Sequence, residues 1–159
     1  MNIVEKKMYK LNPGYLERFE DLLRRYSQFG GGAVDDKYTQ GRSFSNVYEF
    51  YAYAFFIGLY KDAPMDLSDD DNLRSFWEIE NWRPKEMIDH ILACALARSD
   101  FDMFAVQEKE EAEVTADMRI LRRTIEQYAN GGLNYISKRA EEDPDQAEQD
   151  DFFLNMMID

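Results

Sequence analysis

The sequence holds little of what usually carries covalent or metal chemistry: one cysteine and one histidine in 159 residues. A single Cys rules out a disulfide framework within the chain. One Cys with one His leaves too few ligands for a Cys/His zinc site. Long apolar runs are missing as well. The longest, Tyr51 to Tyr60, is ten residues and too short to span a bilayer. The stretch Met1 to Lys7 carries charges with no apolar run after it, so no signal peptide is read there. There is no internal repeat and no hairpin signal. Gly30-Gly31-Gly32 lacks the pattern of a phosphate-cradling loop and reads as part of a polar loop over 29–43. These absences imply no cofactor, no metal and no membrane partner, and the lone thiol at Cys94 fits a reducing compartment. A cytoplasmic protein is expected.

What is present is apolar and acidic. The chain is 45% hydrophobic and 14% aromatic, enough for a packed core. Lys and Arg number 19 against 32 Asp and Glu, a net charge of −13. Residues 1–61 hold nine basic and seven acidic side chains, and residues 62–159 hold ten and 25. So acidic a surface repels a phosphate backbone at long range and disfavours nucleic acid without excluding a local basic patch.

Helical periodicity dominates. Asn12 and Pro13 suit the start of a helix over about 13–28, with Tyr15, Phe19, Leu22, Leu23 and Tyr26 on one face. Asn46 with Glu49 has the capping-box pattern for a helix over 46–60, with Ser45 as an alternative cap. Its Phe, Tyr, Ile and Leu residues cover almost the whole circumference, which marks the central helix of a bundle. The three acids Asp69-Asp70-Asp71 suit the start of a short helix over 70–80. Pro84 opens a helix to about 98 with an Ile88–Ile91–Leu92–Ala95 stripe. Ser99 or Asp100 caps a short helix containing Phe101, Phe104, Ala105 and Val106. Thr115 caps the next, which Gly131-Gly132 interrupts; Leu133 and Ile136 either continue it with a kink or begin a new helix to about 142. The fold class read from this is all-α: one domain, an irregular or orthogonal bundle of six or seven helices over 1–143. An acidic linker and a hydrophobic segment follow over 144–159.

Several residues are candidate sites. Phe152, Phe153, Leu154, Met156 and Met157 in the tail either complete the core as a terminal helix or form a motif for another protein. Trp77 and Trp82 either pin a helix junction or anchor an interface. Arg119, Arg122 and Arg123 lie close on one helix and form a candidate anion or nucleic-acid patch. Lys6, Lys7, Lys10, Arg24 and Arg25 form a second. His90 and Cys94, one turn apart, are a possible nucleophile pair. The carboxylate pairs Glu78/Glu80 and Asp100/Asp102 and the Asp69–Asp71 run are possible acid/base or cation groups.

The segment Phe44-Ser45-Asn46-Val47-Tyr48-Glu49-Phe50, then Ala54-Phe55-Phe56-Ile57-Gly58-Leu59 with Pro64 after it, resembles small proteins that accompany bacterial DNA-phosphorothioation (Dnd) systems. The likeness covers about 20 residues. The basic turn of those proteins is reduced here to Lys61 beside Asp62. The resemblance implies a bacterial accessory protein near DNA-modification machinery and assigns no functional residue. The leading expectation is a non-enzymatic accessory protein that works by docking to another protein or to itself. The alternatives are a nucleic-acid accessory protein using the Arg patch and a small hydrolase using paired carboxylates.

Overall fold

A computed structural model describes residues 2–27 and 43–158. The chain is mainly α-helical, with eight α-helices and one two-stranded sheet among the described residues. None of those helices is long and apolar enough to cross a membrane. The loop expected around Gly30-Gly31-Gly32 lies outside the described residues.

The first helix, α1 (Ile3–Tyr9), lies in a stretch the sequence left unassigned. Asn2 caps it by accepting from the Glu5 backbone N–H at 2.9 Å. Val4 and Met8 are its only buried side chains, too few for a visible stripe. The helix expected over 13–28 does not start at Asn12. Tyr15–Leu16 forms strand β1, a 3₁₀ turn covers Glu17–Phe19, and α2 runs only over Glu20–Tyr26. The reason is a set of long-range hydrogen bonds. Glu126 Oε2 accepts from the Gly14 N–H and Asn130 Oδ1 from the Leu16 N–H, both at 2.9 Å. The Gly14 carbonyl accepts from the Tyr51 hydroxyl at 2.7 Å and the Asn130 amide at 3.1 Å. Partners buried elsewhere in the molecule satisfy these backbone groups, so a local helix has nothing to add there.

Helix α3 (Val47–Tyr60) is the central aromatic helix, with Phe50, Tyr51, Ala54, Phe55 and Ile57 fully buried. Asn46 is the N-cap but its side chain makes no capping bond, so the expected capping box does not form; Glu49 instead accepts from the Ser45 N–H at 3.0 Å and the Asn46 amide at 3.3 Å. After α3 the expected helix over 70–80 is replaced by strand β2 (Leu73–Arg74) and a 3₁₀ turn at Ile79–Asn81. β2 pairs antiparallel with β1, Tyr15 opposite Arg74. The Arg74 guanidinium forks to Glu17 and Glu20, each at 2.7 Å. Those bonds and Phe76 stacking on Trp82 at 5.5 Å hold the segment extended against the core.

Helix α4 (Lys85–Arg98) follows Pro84, and α5 (Met103–Val106) is capped by Asp102 rather than by Ser99 or Asp100. Helix α6 (Glu111–Glu142) starts before Thr115 and runs unbroken through Gly131 and Gly132. At about 1.5 Å per residue it is some 48 Å long. Its glycines mark a helix crossing, not a break. A Cβ on Gly132 would fall 1.7 Å from the Ala54 carbonyl oxygen, and one on Gly58 would fall 2.0 Å from that of Tyr128. Helices α3 and α6 therefore meet backbone to backbone.

The acidic stretch expected as a linker contains helix α7 (Pro144–Ala147), capped by Asp143. Helix α8 (Phe152–Ile158) packs onto the body. The Tyr26 hydroxyl donates to the Ala147 carbonyl at 3.0 Å, and the Tyr53 hydroxyl to that of Phe153. The Phe153 ring meets those of Tyr26, Phe44, Phe50 and Tyr53 within 5.5 Å.

Candidate functional site

The structure divides the tail candidates by burial. Phe152, Phe153 and Met156 are core, while Leu154, Met157 and Ile158 lie on the outer side of α8. The first three are therefore not free to act as a linear motif. The two tryptophans also part. Trp82 is fully buried between Phe76 and Tyr48, with its indole N–H donating to the Trp77 carbonyl at 3.1 Å. It is a core residue rather than an interface anchor. Trp77 is 53% exposed and lies over Tyr48, ring centroids 5.9 Å apart.

The N-terminal basic residues do not form one patch. Lys7 pairs with Glu111 at 3.5 Å, Arg24 with Glu20 at 3.9 Å and Arg25 with Glu148. Lys6 on α1 and Lys10 at its C-cap instead meet Arg83 and Lys85 around a cavity of about 510 Å³ that Tyr9, Glu80 and Ile88 also line. Lys10 is held by Glu80 at 2.6 Å, and that hydrogen bond raises the pKa of its ammonium. Lys85 lies 5.9 Å above the Tyr9 ring. The Tyr9 hydroxyl donates to Asp89, which is the main reason its pKa is pushed up to about 12. Arg83 donates to the carbonyls of Glu80 and Trp82 at 2.8 and 2.7 Å, which fixes its guanidinium at the rim. No sequence pattern marks Arg83 and Lys85, because they become neighbours of Lys6 only when α1 packs beside the start of α4.

Arg119, Arg122 and Arg123 do share one surface, and α4 adds a fourth guanidinium, Arg98. Arg123 reaches Asp69 at 3.2 Å and Arg98 reaches Asp62 at 3.7 Å, both exposed carboxylates. Arg98 also lies 5.8 Å from the Tyr128 ring. Arg122 Nε is 3.9 Å from Glu126 Oε1, a buried carboxylate. Burial pushes the Glu126 carboxyl above its ordinary range, against the pull of the Gly14 N–H and of Arg122 and Arg123. Arg98 closes α4 and reads in the sequence as an ordinary C-terminal cation, so its role went unseen.

The remaining candidates are occupied in structural ways. His90 Nε2 and Cys94 Sγ are 3.9 Å apart, but the His90 ring stacks on Phe56 and burial pushes the Cys94 thiol up, away from thiolate. That environment is opposite to an activated cysteine's. Glu78 and Glu80 both face Lys10, Asp102 caps α5, and Asp71 accepts from the Ser68 N–H at 2.7 Å. Among the described residues no group of three or more His, Cys, Asp or Glu is placed to hold a metal ion. Comparison with protein-family models, with curated proteins and with solved structures gives no match, and nothing in it bears on the likeness of residues 44–64 to Dnd-associated proteins.

Proposed function

We propose that the protein is a non-enzymatic accessory protein of the cytoplasm that works by docking onto an acidic segment of another protein. The observation that carries this reading is Trp77, an indole half in solvent on a rigid aromatic platform. Tyr48 supports it from below and Trp82 holds its backbone. Arg83, tied to the Trp82 carbonyl at 2.7 Å, opens onto the cavity of Lys6, Lys10 and Lys85. Trp, Tyr and Arg in one patch are the residue types that carry most binding energy at protein interfaces. A cationic cavity on a chain of net charge −13 attracts an acidic segment locally while the rest of the surface repels it, which fixes how the partner approaches. The resemblance of residues 44–64 supports looking for that partner first among bacterial DNA-modification proteins.

The test is a pull-down from nuclease-treated lysate with wild type, Trp77→Ala, Lys85→Glu and Leu154→Asp. One stoichiometric protein retained by wild type and Leu154→Asp, and lost from the other two, supports the reading. Equal retention by Trp77→Ala and wild type refutes this surface. Loss from Leu154→Asp alone moves the docking face to α8.

A further inference from the structure

The second cationic cavity, of about 420 Å³, is built by two packed helices. Arg98 stands in the last turn of α4, and Arg119, Arg122 and Arg123 stand on α6. Asp69 and Asp100 also line it, so arginines outnumber carboxylates four to two in its wall, with Asp62 and Glu126 beside Arg98 and Arg122. Arg119 has no acidic partner within salt-bridge distance among the described residues. The buried Nε of Arg122 faces Glu126 Oε1 at 3.9 Å and the buried Nη1 of Arg123 points away from solvent, so the cavity is served by the exposed edges of the guanidiniums. An exposed guanidinium with no carboxylate partner, as in Arg119, is satisfied most strongly by an anionic oxygen.

We infer that this cavity is a binding site for a small phosphorylated compound, whose phosphate the four arginines hold. A phosphate presents three oxygens to guanidiniums on two helices, whereas a carboxylate presents only two. Forked guanidinium donors fit the oxygens of a phosphate in pairs. The cavity is much larger than one phosphate group, which leaves room for an organic remainder, and its volume falls within the ordinary range for small-molecule sites. Ser99 and Gln127 at its wall supply neutral polar groups for that remainder. Asp69 sits on Arg123 at 3.2 Å and is fully exposed. Such surface pairs are weak, so an incoming phosphate displaces it, and Asp69 acts as a built-in competitor. The site is separate from the Trp77 face and does not depend on it.

Isothermal titration of the full-length protein tests this with inorganic pyrophosphate, and in parallel with a ten-nucleotide oligothymidylate. Saturable one-to-one binding of pyrophosphate is expected. Arg119→Ala should weaken it by about tenfold or more with unchanged melting temperature. Asp69→Asn should tighten it several-fold, an effect that a merely structural Asp69 would not produce. No saturable binding of pyrophosphate up to about 10 mM, a very weak limit on the affinity scale, overturns the inference. So does pyrophosphate binding that Arg119→Ala leaves unchanged. Oligonucleotide binding lost in Arg119→Ala, with pyrophosphate inert, also overturns it and makes the cavity a nucleic-acid contact.

Discussion

Replacing Gly132 by alanine sets two effects against each other. Within an isolated helix the change is favourable by about 1 kcal/mol, because alanine is the better helix former. At the crossing of α3 and α6 it is unfavourable. The new Cβ would lie 1.7 Å from the Ala54 oxygen, 2.5 Å from its carbonyl carbon and 3.0 Å from its Cα. All three are backbone atoms in the middle of a buried helix, so no side chain can rotate away. The helices must part by roughly 1.5 Å to restore ordinary contact, and a gap of even 0.5–1 Å forfeits about a quarter to a half of each dispersion contact lining it. Overpacking a core commonly costs about 1–3 kcal/mol, and a rigid backbone neighbour places this site at or beyond the upper end. The net expectation is a loss of about 2–4 kcal/mol. For a domain of this size each kcal/mol moves the melting temperature by about 2–4 °C. Thermal unfolding followed by far-UV circular dichroism should therefore show a fall of about 5–15 °C. Gly58→Ala, which drives a Cβ to 2.0 Å from the Tyr128 oxygen on the opposite helix, should fall likewise. A rise in melting temperature for Gly132→Ala would mean that propensity wins and that the helices do not touch through their backbones.

The other expectations concern titration, the tail and the thiol. Because burial holds the Glu126 carboxyl above its ordinary range, the folded state keeps that proton to higher pH than the unfolded chain does. Its contribution to stability is full in acid and is lost as pH rises through the folded value. Glu126→Gln keeps an acceptor for the Gly14 N–H and removes this loss, so its melting-temperature advantage over wild type should widen from acid to neutral pH; a constant difference would refute the assignment. Truncation before Phe152 removes three buried side chains and should lower stability by several kcal/mol at about 2–5 kcal/mol for each large core residue lost, whereas Leu154→Asp and Met157→Asp should melt within a few degrees of wild type. Cys94, with its thiol pushed up by burial, should react with a maleimide at pH 7 more slowly than a free thiol does; a faster reaction would reopen the His90–Cys94 pair as chemistry.

Where a single helix carries its own apolar stripe, the sequence suffices. The aromatic circumference of α3, the Ile88–Ile91–Leu92–Ala95 stripe of α4 and the Met118–Leu121–Ile125 series of α6 are visible in one dimension. The departures share a cause, which is that a distant partner decides the local structure. Gly131 and Gly132 look like breakers until α3 lies against them. Asn12 looks like a cap until Glu126 and Asn130 take the backbone groups around Gly14. Trp77 and Trp82 are indistinguishable by residue type, and it is the rings of Phe76 and Tyr51 on Trp82 that separate them. The arginine trio was legible from spacing along one helix, but Arg98 belongs to another and could not be joined to it. For the same reason Lys6 and Lys10 found Arg83 and Lys85 only in three dimensions.

The glycine crossing also sets a timetable for synthesis. Helix α3 is complete at Tyr60, but the backbone surface it packs on lies around Gly132. Roughly 70 residues must therefore be added between the two, which at about 5–20 residues per second takes some 4–14 seconds. Throughout that interval the most aromatic helix among the described residues lacks the backbone surface that covers Ala54 and Gly58. The segment around Gly14, made earlier still, waits for Glu126 and Asn130 from the same late helix. The first half of the nascent chain therefore cannot settle before the second half arrives, and a ribosome stalled ahead of α6 would present the cell with an uncovered aromatic surface.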